Sequence, residues 1–469
     1  MENFYDNLER FEDQIAVIAP DAERLTYRSF AKEADAIANR MPERCVVFLI
    51  CSNTLAALEA YIGCLRRRVV PVLINEAIEA DLLQNLMSRY EPAYVFAAKE
   101  KMDVLAKEEA LTLVGNYRGY TLCKRELAIS YPIYKELALL LTTSGSTGSP
   151  KLVRQTYENI SANAASIAAY LEIVPEDRAI MTLPMSYTYG LSIINSHLLM
   201  GATVIMNDYT LMNKEFWALL KEENATTFGG VPYIYDMLKK LRFGNMELPS
   251  LRYLTQAGGK LSKEMAEEFN EICTKKGIKL IIMYGQTEAT ARMSYLPWES
   301  AKEKAGSMGI AIPGGRFELW DVDENPIEAA EVVGELVYYG KNVTLGYAEQ
   351  FADLLKGDER GGRLITGDMA KRDSDGFYYI VGRKKRFLKI FGNRVNLDEV
   401  EGLLRKEGFD CVCAGEDDAM KIYTTETDRA EEILSFVTKT THLSKTAFTV
   451  LTIAEIPRNE AGKVLYSKL

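Results

Sequence analysis

Two short apolar runs on either side of a helical pattern constrain the fold most strongly. CVVFLIC (45–51) and VVPVLIN (69–75) are continuous apolar segments, as is typical of strands that are buried on both faces. Between them, apolar residues recur at the three- and four-residue spacing of an α-helix, at Leu55, Leu58, Ile62 and Leu65. The segment therefore predicts a βαβ unit with two parallel strands in one sheet.

The same alternation continues to about residue 285. ENISANAASIAAYL (158–171) has a helical pattern, RAIMTLP (178–184) is strand-like, and IKLIIMYG (278–285) follows an amphipathic helical segment. We therefore expect an α/β fold with mostly parallel sheets in βαβ layers. From about residue 306 the strands become short and glycine becomes frequent, which predicts a small antiparallel barrel or meander.

The basic segment GRKKRF (382–387) is the candidate domain junction, although a solvated basic turn would have the same composition. We expect a large N-terminal domain (1–382) and a small, mobile α+β C-terminal domain (383–469).

Charge and composition exclude several functions. The net charge is −10, whereas nucleic acids and anionic membranes require a positive surface. No segment approaches the roughly 18 apolar residues of a membrane span. The acidic start MENFYDNLERFEDQ does not resemble a secretory signal, and the seven cysteines are scattered, so we expect a cytoplasmic protein with reduced thiols. With two histidines, His197 and His442, Ser–His–Asp chemistry has few ways to be assembled.

The segment TTSGSTGSPK (142–151) has the composition of a phosphate-binding loop. Glycines let backbone N–H groups approach phosphate oxygens, hydroxyls add donors, and Lys151 supplies a positive charge. A Walker loop would need glycine where Pro150 stands and Ser or Thr where Leu152 stands. The spacing therefore disfavours a P-loop kinase or ATPase, and a flexible surface loop stays open as the alternative.

Together with later segments, this loop resembles the adenylate-forming superfamily, which includes acyl- and aryl-CoA synthetases, amino-acid adenylation domains and luciferases. The similar segments follow the family's order from about residue 140 to the end: SGSTGSPK, LPMSYTYGLS (183–192), TQAGGKLS (255–262), MYGQTEAT (283–290), GELVYYGKNVTLGY (334–347), LITGDMA (364–370), GRKKRFLKIFGNRVNLDEVE (382–401) and IPRNEAGKVLYSKL (456–469).

The resemblance implies an enzyme, an AMP-forming acid–thiol ligase that uses ATP and Mg²⁺. It would convert a small carboxylic acid to an acyl-adenylate, release pyrophosphate, and transfer the acyl group to the thiol of CoA or of phosphopantetheine on an acyl carrier protein. Adenylation is a positioning and electrostatic task, so it needs no histidine base.

The resemblance also assigns roles to residues of this sequence. Glu288 would bind Mg²⁺, Thr287 the α-phosphate, Lys463 the reacting groups, Lys385 would be the hinge, and Gly392 would face the thiol tunnel. Nucleotide contacts are implied for the phosphate loop and three later motifs: Thr143, Ser144, Gly145, Ser146, Thr147, Gly148, Lys151, Gly258, Gly259, Tyr284, Gly285, Asp368 and Arg383. The acid pocket would include Tyr187, Thr188, Gly229, Gly230 and Ala289.

The acid pocket departs from the pattern of the relatives. Amino-acid-activating members carry aspartate where Thr188 stands, to pair the α-ammonium. An unpaired buried ammonium costs several kcal/mol, so an amino acid is disfavoured. The segments 184–190, 226–237 and 287–293 would line a partly polar pocket for a short or modified acyl or aryl acid. An amino-acid–carrier-protein ligase and an inactive nucleotide-binding protein remain the alternatives.

Overall fold

A computed structural model describes residues 3–126, 129–142, 151–391, 393–458 and 464–469. The described residues form two compact units: a larger one from residues up to 316 together with 338–364, and a smaller one from residues 317–337 and from 365 onward. The boundary predicted at residue 382 stays a prediction.

The helices lie at the following positions: α1 Tyr27–Ala38, α2 Leu55–Arg66, α3 Ala80–Tyr90, α4 Lys99–Leu105, α5 Tyr157–Leu171, α6 Thr188–Leu199, α7 Lys214–Glu222, α8 Pro232–Lys240, α9 Lys263–Lys276, α10 Leu397–Lys406 and α11 Ala430–Thr441.

The strands up to residue 284 are β1 Ile15–Ile18, β2 Arg24–Thr26, β3 Val46–Cys51, β4 Val70–Asn75, β5 Tyr94–Ala98, β6 Leu111–Tyr117, β7 Tyr120–Arg125, β8 Leu137–Thr142, β9 Leu152–Thr156, β10 Arg178–Ile180, β11 Thr203–Ile205, β12 Thr227–Gly230, β13 Tyr253–Gln256 and β14 Lys279–Tyr284.

The later strands are β15 Ser294–Tyr295, β16 Ile310–Ala311, β17 Arg316–Trp320, β18 Gly334–Tyr339, β19 Gly346–Ala348, β20 Arg363–Arg372, β21 Tyr378–Arg383, β22 Phe387–Ile390, β23 Asn393–Asn396, β24 Cys411–Glu416, β25 Ala419–Thr424 and β26 Phe448–Thr452.

Two large sheets with parallel centres organise the larger unit. One has the order β16-β15-β14-β13-β12-β10-β11-β1-β2 and the other β19-β9-β8-β4-β3-β5-β7-β6. The predicted βαβ unit is present as β3, α2 and β4, with β3 and β4 parallel over six residue pairs. The outer strands are antiparallel, as in the pairs β6–β7 and β14–β15. The α/β fold with mostly parallel sheets is confirmed.

Local sequence explains where the central helices begin. The side chain of Thr54 accepts a hydrogen bond from the backbone of Ala57 at the start of α2. Thr156 and Asn159 form a reciprocal capping box at the start of α5. Such caps satisfy backbone donors that a helix leaves unpaired at its first turn. They fix the helix starts that the apolar pattern alone leaves uncertain.

The smaller unit has sheets of its own. β17, β18, β20 and β21 form a four-stranded sheet where the sequence predicted a small barrel or meander. Further along, β24, β25 and β26 form a three-stranded sheet whose buried residues pack with those of α10 and α11. Within the described ranges, no helix combines the length and apolar character needed to cross a membrane.

Candidate active site

The carboxyl ends of three neighbouring parallel strands form the centre of the candidate site. β12 ends at Gly230, β13 at Gln256 and β14 at Tyr284. The strands are in parallel register, with Gly230 opposite Gln256 and Gln256 opposite Ile282. Ligands of open α/β sheets bind at this edge, outside the carboxyl ends of the strands. Segments chosen from separate motifs are therefore brought to one edge of the sheet.

Close packing explains two of the glycines at this edge. A Cβ on Gly285 would lie 1.7 Å from the carbonyl oxygen of Ala291. Gly258 has a φ of +81°, and a Cβ there would lie 2.7 Å from Oη of Tyr187. Both positions exclude a larger side chain, and Gly258 also needs the left-handed backbone that glycine adopts readily. The glycines hold the strand ends and Tyr187 close together.

Glu288 lies in a short 3₁₀ turn, Thr287–Ala289, directly after β14. The Tyr347 hydroxyl donates to Glu288 Oε1 at 2.6 Å. Burial, together with the Glu288 carboxylate, raises the pKa of Tyr347 to about 12, so this hydroxyl stays protonated as the donor. The backbone carbonyl of Glu288 accepts from the Thr344 backbone and from Arg360, at 3.0 and 3.1 Å. Hydrogen bonds to both the side chain and the backbone carbonyl of Glu288 therefore hold this turn in place.

This turn offers a metal ion one carboxylate, that of Glu288. Across the ranges that the structure describes, no group of three or more His, Cys, Asp or Glu side chains is gathered into a metal site. Mg²⁺ is usually held by one or two carboxylates together with waters and substrate phosphates. The donor set around Glu288 therefore fits Mg²⁺ that arrives with a nucleotide.

The predicted acid-pocket residues meet beside this turn. Tyr187 caps α6, and the hydroxyl of the next residue, Thr188, donates to the backbone carbonyl of Thr290. Ala289 is fully buried, and its carbonyl accepts from Asn342 at 2.8 Å. Burial raises the pKa of Tyr187, so its hydroxyl is protonated at neutral pH.

The tyrosines of the predicted pocket differ in exposure. Tyr235 is buried and donates to the Thr255 carbonyl at 3.0 Å, whereas Tyr233 is 53% exposed. Burial is therefore confined to one face of α8, which carries both residues. Gly229 packs against Tyr189 and Ile193, and Gly230 against Ile234, so that no side chain fits at either glycine.

The predicted phosphate loop joins two antiparallel strands. Thr142, at the end of β8, is opposite Leu152, at the start of β9. Thr143, Ser144, Gly145, Ser146, Thr147 and Gly148 lie outside the described residues. Lys151 is described, and its Nζ lies 2.7 Å from Glu349 Oε1, with both side chains about half exposed. This weak surface pair leaves the lysine able to exchange partners.

Asp368 and Arg383 are paired in the smaller unit. They are opposite each other on β20 and β21, and Arg383 Nε lies 2.8 Å from Asp368 Oδ1. Asp368 is 3% exposed, whereas the Arg383 side chain is half exposed. A buried carboxylate beside a more exposed guanidinium offers an acceptor of fixed orientation.

The residues around the predicted hinge lie in a basic 3₁₀ turn, Lys384–Arg386, between β21 and β22. Lys385 is exposed. Arg386 contacts Asp398 at 2.8 Å and Glu401 at 2.5 Å, and its guanidinium lies 4.0 Å from the centre of the Tyr466 ring. Gly392 and Lys463 lie outside the described residues.

Several residues around the site were not singled out from the sequence. Arg292, Asn342, Tyr347 and Arg360 surround the turn after β14, but three of them follow it by 50 residues or more. Arg292 lies within a segment expected to line the acid pocket, and Asn342 and Tyr347 lie within the motif GELVYYGKNVTLGY (334–347), whereas Arg360 lies in none of the quoted motifs.

Comparisons with known proteins agree with this architecture. A family model described as AMP-binding enzyme matches residues 4–348. The chain is 27% identical over 344 residues to a medium-chain fatty-acid–CoA ligase of Escherichia coli strain K12, with 70% of this chain and 60% of that protein covered. It is 26% identical to a 2-succinylbenzoate–CoA ligase of Listeria monocytogenes, with 82% of each covered.

Solved structures show the same fold. The chain superposes on O-succinylbenzoate coenzyme A synthetase from Bacillus subtilis in complex with AMP, with a TM-score of 0.80, 22% identity and coverage of 100% and 98%. The same enzyme in complex with ATP and magnesium gives a TM-score of 0.79 at 21% identity, with coverage of 99% and 98%. In sequence, the chain spans about three fifths of the length of the fatty-acid–CoA ligases that it matches.

Proposed function

Because the chain belongs to the AMP-binding enzyme family, as its motifs indicated, we propose that it is an ATP-dependent acid–thiol ligase. In the first step a carboxylate oxygen of the acid attacks the α-phosphorus of ATP, the bond to the β-phosphate oxygen breaks, and pyrophosphate leaves. In the second step a thiolate attacks the acyl carbon, the bond to the phosphate oxygen breaks, and AMP leaves. Adenylation provides a leaving group that the free carboxylate lacks.

One observation carries this proposal: the strand ends of β12, β13 and β14 bring the glycine pairs 229–230 and 258–259 to the same edge of the sheet as Tyr284 and the turn that holds Glu288. In the proposal the adenine base stacks on the Tyr284 ring, beside Gly258 and Gly259. Thr287 would donate to the α-phosphate, and Glu288 would hold Mg²⁺, which would supply positive charge to offset that of the departing pyrophosphate. Lys151 and the loop 143–148 contact the outer phosphates. These tasks are positioning and charge stabilisation.

The smaller unit supplies the remaining roles in the proposal. Asp368 accepts hydrogen bonds from the ribose hydroxyls, since an ionised carboxylate has only acceptors to offer a cis-diol. Arg383 fixes the orientation of Asp368 through their 2.8 Å contact and donates to the ribose or phosphate. Lys463 neutralises the negative charge at the α-phosphate during adenylation. Lys385 would be the hinge, and the role proposed for Gly392, which lies outside the described residues, is in the thiol tunnel.

For the acceptor we favour CoA, because the relatives that match are named as CoA ligases; an acyl carrier protein is the other candidate. For the acid, the relatives' names cover medium-chain fatty acids, oxalate, sulfoacetate and 2-succinylbenzoate. Similarity to these relatives therefore does not identify the class of acid, which has to be inferred from the residues of the pocket. The proposal includes a cytoplasmic location, which the seven unpaired cysteines in the described chain support.

ATP–pyrophosphate exchange across a panel of acids tests the first step. We expect exchange that depends on acid and Mg²⁺ and that falls at least 100-fold in Glu288→Gln. The matched control Glu303→Gln changes an exposed glutamate and should retain full exchange. Absence of exchange with every acid would instead favour an inactive nucleotide-binding protein.

Separate assays of the two steps test Lys463. We expect Lys463→Ala to lose adenylate formation while keeping most of its ability to convert supplied acyl-adenylate and CoA to thioester. Lys468→Ala, five residues further on at an exposed position, serves as control. Equal loss of both steps would contradict a lysine that acts only in adenylation.

A further inference from the structure

Arg292 is a buried cation that has no anionic partner among the described residues. It is 3% exposed, and its Nε has no hydrogen-bond partner. Its guanidinium lies 3.6 Å from the centre of the Tyr189 ring, and among the residues that the structure describes no carboxylate forms an ion pair with it. Arginine does not lose its proton in proteins, and buried charges are normally paired. The site is therefore short of one negative charge.

The arginine borders a small cavity of about 10 Å³, with room for about one water molecule, that is also lined by Gly229 of the predicted acid pocket. The other lining groups are apolar side chains, hydroxyls, Gly229 and His197, so no acidic residue lines it. Burial lowers the pKa of His197, and its ring nitrogens contact the Ile193 carbonyl at 2.8 Å and the Tyr253 hydroxyl at 3.1 Å. A neutral histidine leaves Arg292 as the charged group of this lining.

The backbone around Arg292 is held firmly. Its carbonyl accepts from the side-chain amides of Asn163 and Asn342, at 3.0 and 2.9 Å. Thr290, two residues earlier, has a φ of +66°, a rare conformation for a β-branched residue. Strained backbone and fixed side chains of this kind are typical of preorganised sites.

We propose that Arg292 determines substrate specificity by pairing with a second carboxylate of the acid, so that the preferred substrate is a dicarboxylic acid. The inference rests on the proposed ligase function. Arginine's planar donors match a carboxylate in two parallel hydrogen bonds. The same cation repels an ammonium group, which agrees with the absence of an acidic residue at Thr188. A purely hydrocarbon tail would bring no anion to the guanidinium.

The test compares acids that differ in one carboxylate: butanoate with butanedioate, hexanoate with hexanedioate, and benzoate with benzene-1,2-dicarboxylate. ATP–pyrophosphate exchange should favour the diacid of at least one pair by tenfold or more in kcat/KM. Arg292→Met should lower kcat/KM for that diacid about 100-fold and reverse the preference within the pair. Arg40→Met removes an exposed arginine and should leave the ratio unchanged.

A stability measurement separates this role from a structural one. Replacing an unpaired buried charge by an apolar side chain of similar length is neutral or stabilising, so Arg292→Met should keep or raise the melting temperature. A drop of 5 °C or more would overturn the proposal. A wild-type preference for monoacids, or an unchanged ratio in Arg292→Met, would overturn it as well. No exchange with any acid would overturn the ligase function, and this inference with it.

Discussion

Replacing Gly285 by alanine should disable the site through one steric clash. The added Cβ would lie 1.7 Å from the carbonyl oxygen of Ala291, whereas real Cβ contacts essentially never fall below 3.0 Å. The two backbone segments must therefore separate by about 1.3 Å. Such overpacking costs about 1–3 kcal/mol in stability, and a displacement of about 1 Å at reacting groups can cost about 100-fold in rate. Tyr284, directly before Gly285, and Glu288, in the turn that follows it, would be displaced as well.

The matched control is Gly402→Ala in α10, where a Cβ would meet nothing within 4 Å. Alanine there should stabilise the protein by about 0.5–1 kcal/mol because glycine is a poor helix former. Urea unfolding gives the stability of both variants, and ATP–pyrophosphate exchange gives their activity. If Gly285→Ala exchanged within threefold of the wild type, the argument that this glycine holds the turn in place would be refuted.

Three further perturbations address other parts of the molecule. Tyr347→Phe removes the 2.6 Å hydrogen bond to Glu288 and should raise the Mg²⁺ concentration for half-maximal exchange about tenfold, with little change in melting temperature. Burial raises the pKa of Glu59 from 4.5 to about 7; the folded protein then keeps a proton that the unfolded chain has lost, so stability should fall by about 1–3 kcal/mol as pH rises through that window. Glu59→Gln should flatten this dependence in melting curves at pH 5 and pH 8. Arg386→Ala leaves the buried Glu401 carboxylate without its partner and should cost about 3–5 kcal/mol in urea unfolding.

Local pattern and composition were enough for the central elements of the fold. The apolar runs that became β3 and β4, and the helical spacing between them, have one reasonable arrangement, because burial on both faces demands parallel strands and a crossover helix. The resemblance predicted Tyr284, Glu288 and the glycine pairs as site residues, and the structure places them at one edge of the sheet, where the parallel strands end; their roles stay predictions.

Antiparallel additions at the sheet edges were not predicted. β6 and β7 form a hairpin whose turn residues, Arg118 and Gly119, both have positive φ. Two-residue turns of this kind usually contain Asn-Gly or Asp-Gly, so the dipeptide Arg-Gly does not predict a hairpin. The strand pair β6–β7 therefore could not be predicted from the local sequence.

Only the tertiary structure determines which charged and polar side chains lie close to one another. The sequence alone predicted a phosphate-handling site on an α/β frame, and the frame is confirmed, because periodicity and motif order are local properties. Arg292 is buried with no anionic partner in the described part of the chain, and Glu288 is held by Tyr347, 59 residues away; both facts depend on contacts between distant segments. Whether a charge is paired or desolvated depends on the groups that surround it in three dimensions, and these cannot be read from its neighbours in the sequence.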